Sequence, residues 1–413
     1  MDPTPTEQTP KITDAECELE IETRVSRYRF WLFASLTVLF MVTFIYYLPL
    51  RFESRMTGGG ATHDDTHNDA TATDDRPHDS AMSTMMEEHT HEDGTTEMHM
   101  MGSADLNTLP LRTPLNRLEQ MPFVKTADGY KEFHLEASAF RWEYAPGQWV
   151  HVWGYNGQIP GPEIRVTEGE KVRVVVKNSL PDATSVHWHG LDVPWQMDGV
   201  AGVTQKAIEP GEAFTYEFTA KPAGTRFYHS HGKDHASAAQ QLDMGLSGAF
   251  IVEPRSERLA YDRDYTLLLD EWDILAGGVN SAISHVHGAG MMGAVPDFNT
   301  FTINGRIFPH VPNLDIKKGE SVLVRFINAG TSAFHPMHLH GHSFAVVARD
   351  GFLLENPEER NTITVNPGET VDILIEGNNP GPWLLHCHHV HHAAAGMTML
   401  MQYEGYEPIQ PLQ

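Results

Sequence analysis

Downstream of about residue 128, the apolar residues of this chain fall into short runs rich in Val, Ile, Phe and Tyr, broken by Pro-Gly, Glu-Gly and Asn-Gly pairs. In runs such as KVRVVVKNS, apolar and polar positions alternate, which sends every second side chain to one face of a strand. The glycine pairs supply the turns between strands. No stretch in this part has a convincing amphipathic-helix period. The predicted class is therefore all-β, with short strands folded as Greek-key β-sandwiches. Upstream the pattern changes twice. Residues 30–50, FWLFASLTVLFMVTFIYYLPL, are 21 consecutive residues without a charge, enough for one transmembrane helix. Residues 56–105 hold almost no large aliphatic side chains. Such a segment cannot bury enough apolar surface to offset its ordering entropy, and it is expected to be a disordered linker.

The strand-rich part repeats itself. GPEIRVTEGEKVRVVVKNSL leads to His187 as PNLDIKKGESVLVRFINAG leads to His338, with 18 residues from Gly169 to His187 and 19 from Gly319 to His338. EPGEAFTYEFTA then leads to FYHSHG as NPGETVDILIEG leads to LLHCHH, with 18 residues from Gly211 to His229 and from Gly368 to His386. A chain of 413 residues could hold two or three domains, and the repeat reduces this to two copies of one domain. The expected organisation is a cytoplasmic tail over 1–29, a membrane anchor over 30–50 and an acidic Met/His-rich linker over 51–127. Domain one follows over 128–256 and domain two over 257–413.

Charge changes this picture little. The net charge is −26, but residues 1–28 and 56–105 together carry −15 of it. The folded part is moderately acidic, and no basic stripe or basic-aromatic interleaving argues for nucleic-acid binding. Arg24, Arg27 and Arg29 precede the apolar run while Arg51 and Arg55 follow it, so the positive-inside bias is small. No small-residue cleavage site follows the run. It therefore reads as an uncleaved anchor with the domains outside the cytoplasm, periplasmic if the envelope has two membranes. Cys17 and Cys387 are the only cysteines; they lie at opposite ends of the architecture, and no intrachain disulfide is expected.

Cys387 carries the sharpest chemical signal. It sits in the run His386, Cys387, His388, with His392 and Met397 five and ten residues beyond it. A thiolate with two imidazoles and a weak axial thioether is the donor set of blue copper sites. His335, upstream on what would be a neighbouring strand, is the natural candidate for the second imidazole. The chain also contains four His-x-His pairs: His187 with His189, His229 with His231, His338 with His340, and His386 with His388. On a strand, residues i and i+2 share a face, so each pair can present two nitrogens in one direction.

Over about residues 130–405 these motifs resemble those of the multicopper oxidases, specifically the two-domain, laccase-like members. The resemblance implies the cupredoxin form of the sandwich, four coppers per chain and dioxygen as co-substrate. It implies a mononuclear blue site at His335, Cys387, His392 and Met397, with Cys387 as the point of electron entry and transfer. It implies a trinuclear cluster whose lone copper is held by His187 and His338, and whose coupled pair is held by His189, His229, His231, His340, His386 and His388. Asp198, in MDGV shortly after His-Trp-His-Gly, matches the acid that supplies protons in the resembled enzymes, although an Asp-Gly pair is also commonly a turn. A tyrosine found near the cluster in some two-domain relatives falls at Val193 here. Domain one has Ser230 where domain two has Cys387, so only domain two is expected to hold a blue site. That also disfavours a copper nitrite reductase, whose blue-site Cys lies in the first domain.

The implied reaction is one-electron oxidation of a phenolic donor coupled to four-electron reduction of dioxygen to water. Oxidation of cuprous or other metal ions in copper tolerance, non-enzymatic copper sequestration, and nitrite reduction stay open as alternatives. If the two half-sites cannot meet within one chain, a head-to-tail ring would join them, and the resembled proteins are homotrimers with intersubunit clusters. His89, His91, Met98, His99, Met100 and Met101 in the linker, with Met291 and Met292 in the Gly-rich stretch 273–298, are candidate auxiliary copper ligands. A plain hydrophilic spacer and an ordinary covering loop are the competing readings of those segments.

Overall fold

The period of two in the sequence becomes a period of two in burial. Along the strand Lys171–Ser179, Val172, Val174, Val176 and Asn178 point inward and their neighbours do not, as a pleated strand requires. The computed structural model of the chain describes residues 106–114, 118–283 and 297–409, with the backbone alone at 89–90 and 96–97. The tail 1–29, the apolar run 30–50, and the side chains of His89, His91, Met98, His99, Met100, Met101, Met291 and Met292 lie outside the described residues. Among those described, no helix is long and apolar enough to cross a membrane.

Domain one is two sheets face to face. One contains Ala213–Thr219, Lys171–Ser179 and Tyr130–Ala145, with Gln148–Tyr155 paired to the last. The other runs Gly161–Thr167, Ser247–Glu253, Gly224–Ser230, Val186–His189. Their inner faces close on Phe133, Trp188, Tyr216, Tyr228 and Phe250. Domain two repeats the plan. A six-stranded sheet includes Arg263–Trp272, Ser321–Asn328 and Thr370–Glu376, and a five-stranded sheet includes His335–Leu339, Pro382–Cys387 and Thr398–Tyr403. Its core holds Phe326, Val346, Ile373, Leu385 and, as members of the same apolar wall, Cys387 and Met397.

The two domains meet through a small apolar patch, Phe227 and Ala249 against Leu268 and Ile327, and through ion pairs. Arg165, paired with Glu253 of its own domain, reaches across to Asp264, which Arg325 in turn links to Asp372 within domain two. Thr225 Oγ1 donates to Asp372 Oδ2 at 2.9 Å across the boundary.

Domain one begins to pack upstream of residue 128. Leu111–Arg112 and Val124–Lys125 pair with the long strand Tyr130–Ala145, and Met121 is buried in its core. The last part of the segment expected as linker over 51–127 is thus part of the sandwich edge. A helix also forms where no helical period was expected, at His235–Asp243. It starts at a reciprocal capping box between Asp234 and Ser237. The face it buries is polar: Ser237, Gln240, Gln241 and Asp243. Gln241 accepts from Thr184 Oγ1 and donates to the Ala183 carbonyl. A helix that buries amides instead of aliphatics leaves no hydrophobic stripe to read.

Asp243, at the end of that helix, accepts a 2.6 Å hydrogen bond from Thr331. Burial, and next the neighbouring Glu271, push its carboxyl up to about 7, against the downward pull of the Thr331 bond. The folded state therefore holds a proton that the unfolded chain releases near 3.8, and stability falls as pH rises through that window. One such group contributes up to about 1.4 kcal/mol per pH unit. Asp243→Asn is expected to flatten this slope between pH 5 and pH 8 relative to the parent chain in urea unfolding. Parallel slopes for the two proteins would sink the assignment.

Candidate metal centres

Strand pairing brings the histidines together in the same way in each domain. In domain one, Val186–His189 pairs with Gly224–Ser230 so that His187 lies opposite His229. In domain two, His335–Leu339 pairs with Pro382–Cys387 so that His338 lies opposite His386. Cross-strand partners stand about 5 Å apart on one face, and the imidazoles converge. The ring centroids of His187 and His229 are 5.3 Å apart, and those of His338 and His386 are 5.7 Å apart. The ligand atoms of His187, His189 and His229 all lie within 4.8 Å of one another. His231 is beside His187 at 6.2 Å. His340 Nε2 is 3.0 Å from His386 Nε2, and His388 lies 5.5 Å from His338, ring to ring. No ring contact among the described residues joins the first-domain set to the second-domain set.

Hydrogen bonds on the far nitrogen decide which nitrogen each ring offers. Nδ1 of His187 donates to the Asp198 carbonyl at 2.8 Å, of His229 to the Ser230 carbonyl at 2.8 Å, of His338 to the Asn361 carbonyl at 2.7 Å, and of His386 to the Cys387 carbonyl at 2.9 Å. With Nδ1 holding the proton, Nε2 is left as the free lone pair, which is how ligating histidines are oriented. The Asp198 carboxylate itself is 3.5 Å from His187 Nδ1. Burial, then neighbouring imidazoles led by His187, lower His229 to about 3 and His189 to about 4. Burial likewise lowers His231, His340 and His386. These rings are therefore neutral near pH 7, the state in which they bind a metal.

The second constellation is wholly in domain two. Cys387 Sγ is 3.9 Å from His335 Nδ1 and 3.7 Å from His392 Nδ1, a spacing that suits donors sharing one ion. Cys387 and His335 are fully buried. His392 is reached because the chain turns into the short helix Val390–Ala394 directly after His389, and its ring stacks on Phe301 at 3.9 Å. Met397 is buried in the same core, and its carbonyl accepts from the Cys387 N–H at 3.0 Å. Burial pushes the Cys387 thiol up to about 11, so a thiolate here needs a cation beside it. Burial, then His389, lowers His392 to about 4. A soft thiolate, two imidazoles and a nearby thioether fit copper. At the matching place in domain one, Ser230 is buried with no hydrogen-bond partner for its Oγ, and nothing soft replaces Cys387.

Sequence reasoning missed two partners of these rings. Asn361 holds His338 through its backbone, which carries no residue-type signal. Glu271 lies against His335; the only trace of it was a charged pair closing an apolar strand, YTLLLDEW.

Two family models, both described as multicopper oxidase, match residues 137–257 and 284–405. Copper resistance protein A of Escherichia coli is 29% identical over 261 residues, 54% of this chain and 42% of that protein. Laccase-19 of Oryza sativa subsp. japonica is 33% identical over 246 residues, 54% of this chain and 38% of that protein. The chain thus matches less than half the length of these curated relatives. The blue copper oxidase of Nitrosomonas europaea superimposes with a TM-score of 0.58 at 34% identity, over 67% of this chain and 86% of that one.

Proposed function

This chain belongs to the multicopper oxidase family, and we propose that it is a laccase-like oxidase that takes electrons singly from a phenolic or similar donor and passes them to dioxygen. The observation that carries this reading is the convergence of His335, Cys387 and His392, with His386 and His388 joined covalently to Cys387 and turned toward the other imidazoles. Bound copper supplies one-electron redox chemistry at Cys387 and the four-electron reduction of dioxygen to water at the histidine clusters. In this reading the chain holds four coppers. His335, Cys387, His392 and Met397 bind the first; His187 and His338 bind the second; His189, His229, His231, His340, His386 and His388 bind the remaining pair. The hydrogen bond from His386 Nδ1 to the Cys387 carbonyl shortens the link between the two donor sets.

Because each domain carries half of the second set and no ring contact joins the halves, the proposal includes a ring of three chains with the halves meeting between subunits. Trp195, 64% exposed, and Val203, 74% exposed, flank Asp198 on the first-domain half; large apolar side chains so placed suit a covered surface. Asp198 is proposed to deliver protons beside His187. Membrane anchoring through residues 30–50, with the domains outside the cytoplasm, completes the reading and is supported by the uncharged length of that run.

Oxidation of cuprous ion is a second reading, supported by the Met and His content of residues 56–105. The test is oxygen uptake by the copper-loaded full chain with hydroquinone and, separately, with a cuprous complex under conditions where its own autoxidation is slow. Hydroquinone-dependent uptake forming water is the expected result. Uptake with cuprous ion alone would move the assignment to a metal oxidase, and no uptake at full copper loading would reject both. In the same assay Asp198→Asn should slow turnover roughly 10²-fold with the blue absorption unchanged; an unaffected rate would remove Asp198 from the proton path.

A further inference from the structure

Glu271 is a carboxylate with no exposed surface, at the buried end of the strand Arg263–Trp272. One of its oxygens is anchored: Oε1 accepts from the backbone N–H groups of Ser332 and Ala333, both at 3.0 Å. Two such donors fix the orientation of the carboxyl group. The other oxygen, Oε2, lies 3.5 Å from His335 Nε2, and both side chains are completely inaccessible. Neither atom has a hydrogen-bond partner among the described residues, and each is the other's nearest recorded polar contact. A buried carboxyl oxygen and a buried ring nitrogen that lack all other partners are each costly to leave unmatched.

The surrounding backbone is shaped for this carboxylate. A Cβ on Gly330 would meet Glu271 Oε2 at 2.0 Å. Gly330 is not among the glycines with positive φ, so its missing side chain answers a need for space and not for an unusual backbone conformation. Nearby Asp270 is also fully buried, and burial, then Glu271 and Asp243, push its carboxyl well above the usual range.

We propose that Glu271 is a positioning residue of the Cys387 site: its Oε2 accepts from the Nε2–H of His335, fixes the tautomer that turns Nδ1 toward Cys387 Sγ, and places a carboxylate beside the metal that favours its oxidised form. The inference rests on copper occupying the Cys387 site. It does not depend on the identity of the donor. Glutamine at 271 keeps an oxygen acceptor in the same place and removes the charge, so geometry and electrostatics separate.

The experiment is a redox titration of the copper-loaded full chain, following the blue absorption against a mediator couple. In Glu271→Gln the absorption should persist, while the ratio of reduced to oxidised copper at a fixed poise should rise by about tenfold or more. Glu271→Asp, which keeps the charge, should stay closer to the parent ratio. A blue, fully loaded Glu271→Gln protein with the parent's ratio would overturn the proposal. The unmodified protein supplies an independent check that needs no variant. With ¹⁵N-labelled histidine and the copper reduced, His335 should show a slowly exchanging proton on Nε2; a proton-free Nε2 would overturn the proposal. If the parent chain binds copper but never turns blue, the assignment of the Cys387 site fails, and this inference with it.

Discussion

In the Cys387→Ser protein the blue absorption should vanish, the copper content should fall by one per chain, and donor-dependent oxygen uptake should drop by about a thousandfold, roughly 4 kcal/mol of lost transition-state stabilisation. The cause would be chemical and not structural. A hydroxyl is a hard, feebly acidic donor and cannot replace a thiolate as a soft ligand. The fold tolerates serine at this place, since the equivalent position of domain one is Ser230, buried at the end of the matching strand. The secondary structure by circular dichroism should therefore match the parent chain, and the histidine clusters should still load, because their rings are held by carbonyls outside Cys387 at His187, His229 and His338. A Cys387→Ser protein that still consumes oxygen at the parent rate would show that electrons enter elsewhere.

The second large effect comes from mixing two inactive proteins. His189→Ala removes an imidazole from the first-domain half, and His340→Ala removes one from the second-domain half. Each alone should be inactive, because a cluster lacking a ligand does not hold its coupled pair. If the halves meet between chains in a three-membered ring, unfolding and refolding an equimolar mixture reconstitutes some contacts from two intact halves. Random assembly makes about one contact in four of that kind, so the mixture should recover about a quarter of the parent activity. Recovery should vary with the mixing ratio and peak at equal amounts. Clusters formed within a single chain predict no recovery at any ratio, which would discard the ring.

Much of this molecule was legible because it depends on local spacing. Residues two apart on a strand share a face wherever the strand goes, so four His-x-His pairs announced convergent nitrogens before any sheet was built. The matched 18-residue spacings from Gly211 to His229 and from Gly368 to His386 similarly pointed to two copies of one sandwich. The helix His235–Asp243 escaped notice because its buried face is made of Gln, Ser and Asp, and the start of domain one was placed too late because Leu111–Arg112 and Val124–Lys125 are strands of only two residues.

By itself, then, the sequence determined the class of fold, its duplication, the donor atoms and the metal they suit, since these follow from residue type and short-range periodicity. Tertiary structure alone decided which nitrogen each ring presents, because that depends on carbonyls such as Asn361, 23 residues from His338. It decided that His338 faces His386 and that Met337 faces Cys387, because register is settled by burying one face of each strand against the core. It also set Glu271 against His335 across 64 residues of chain, in a space that Gly330 leaves open, a meeting that only the packing of two sheets can arrange.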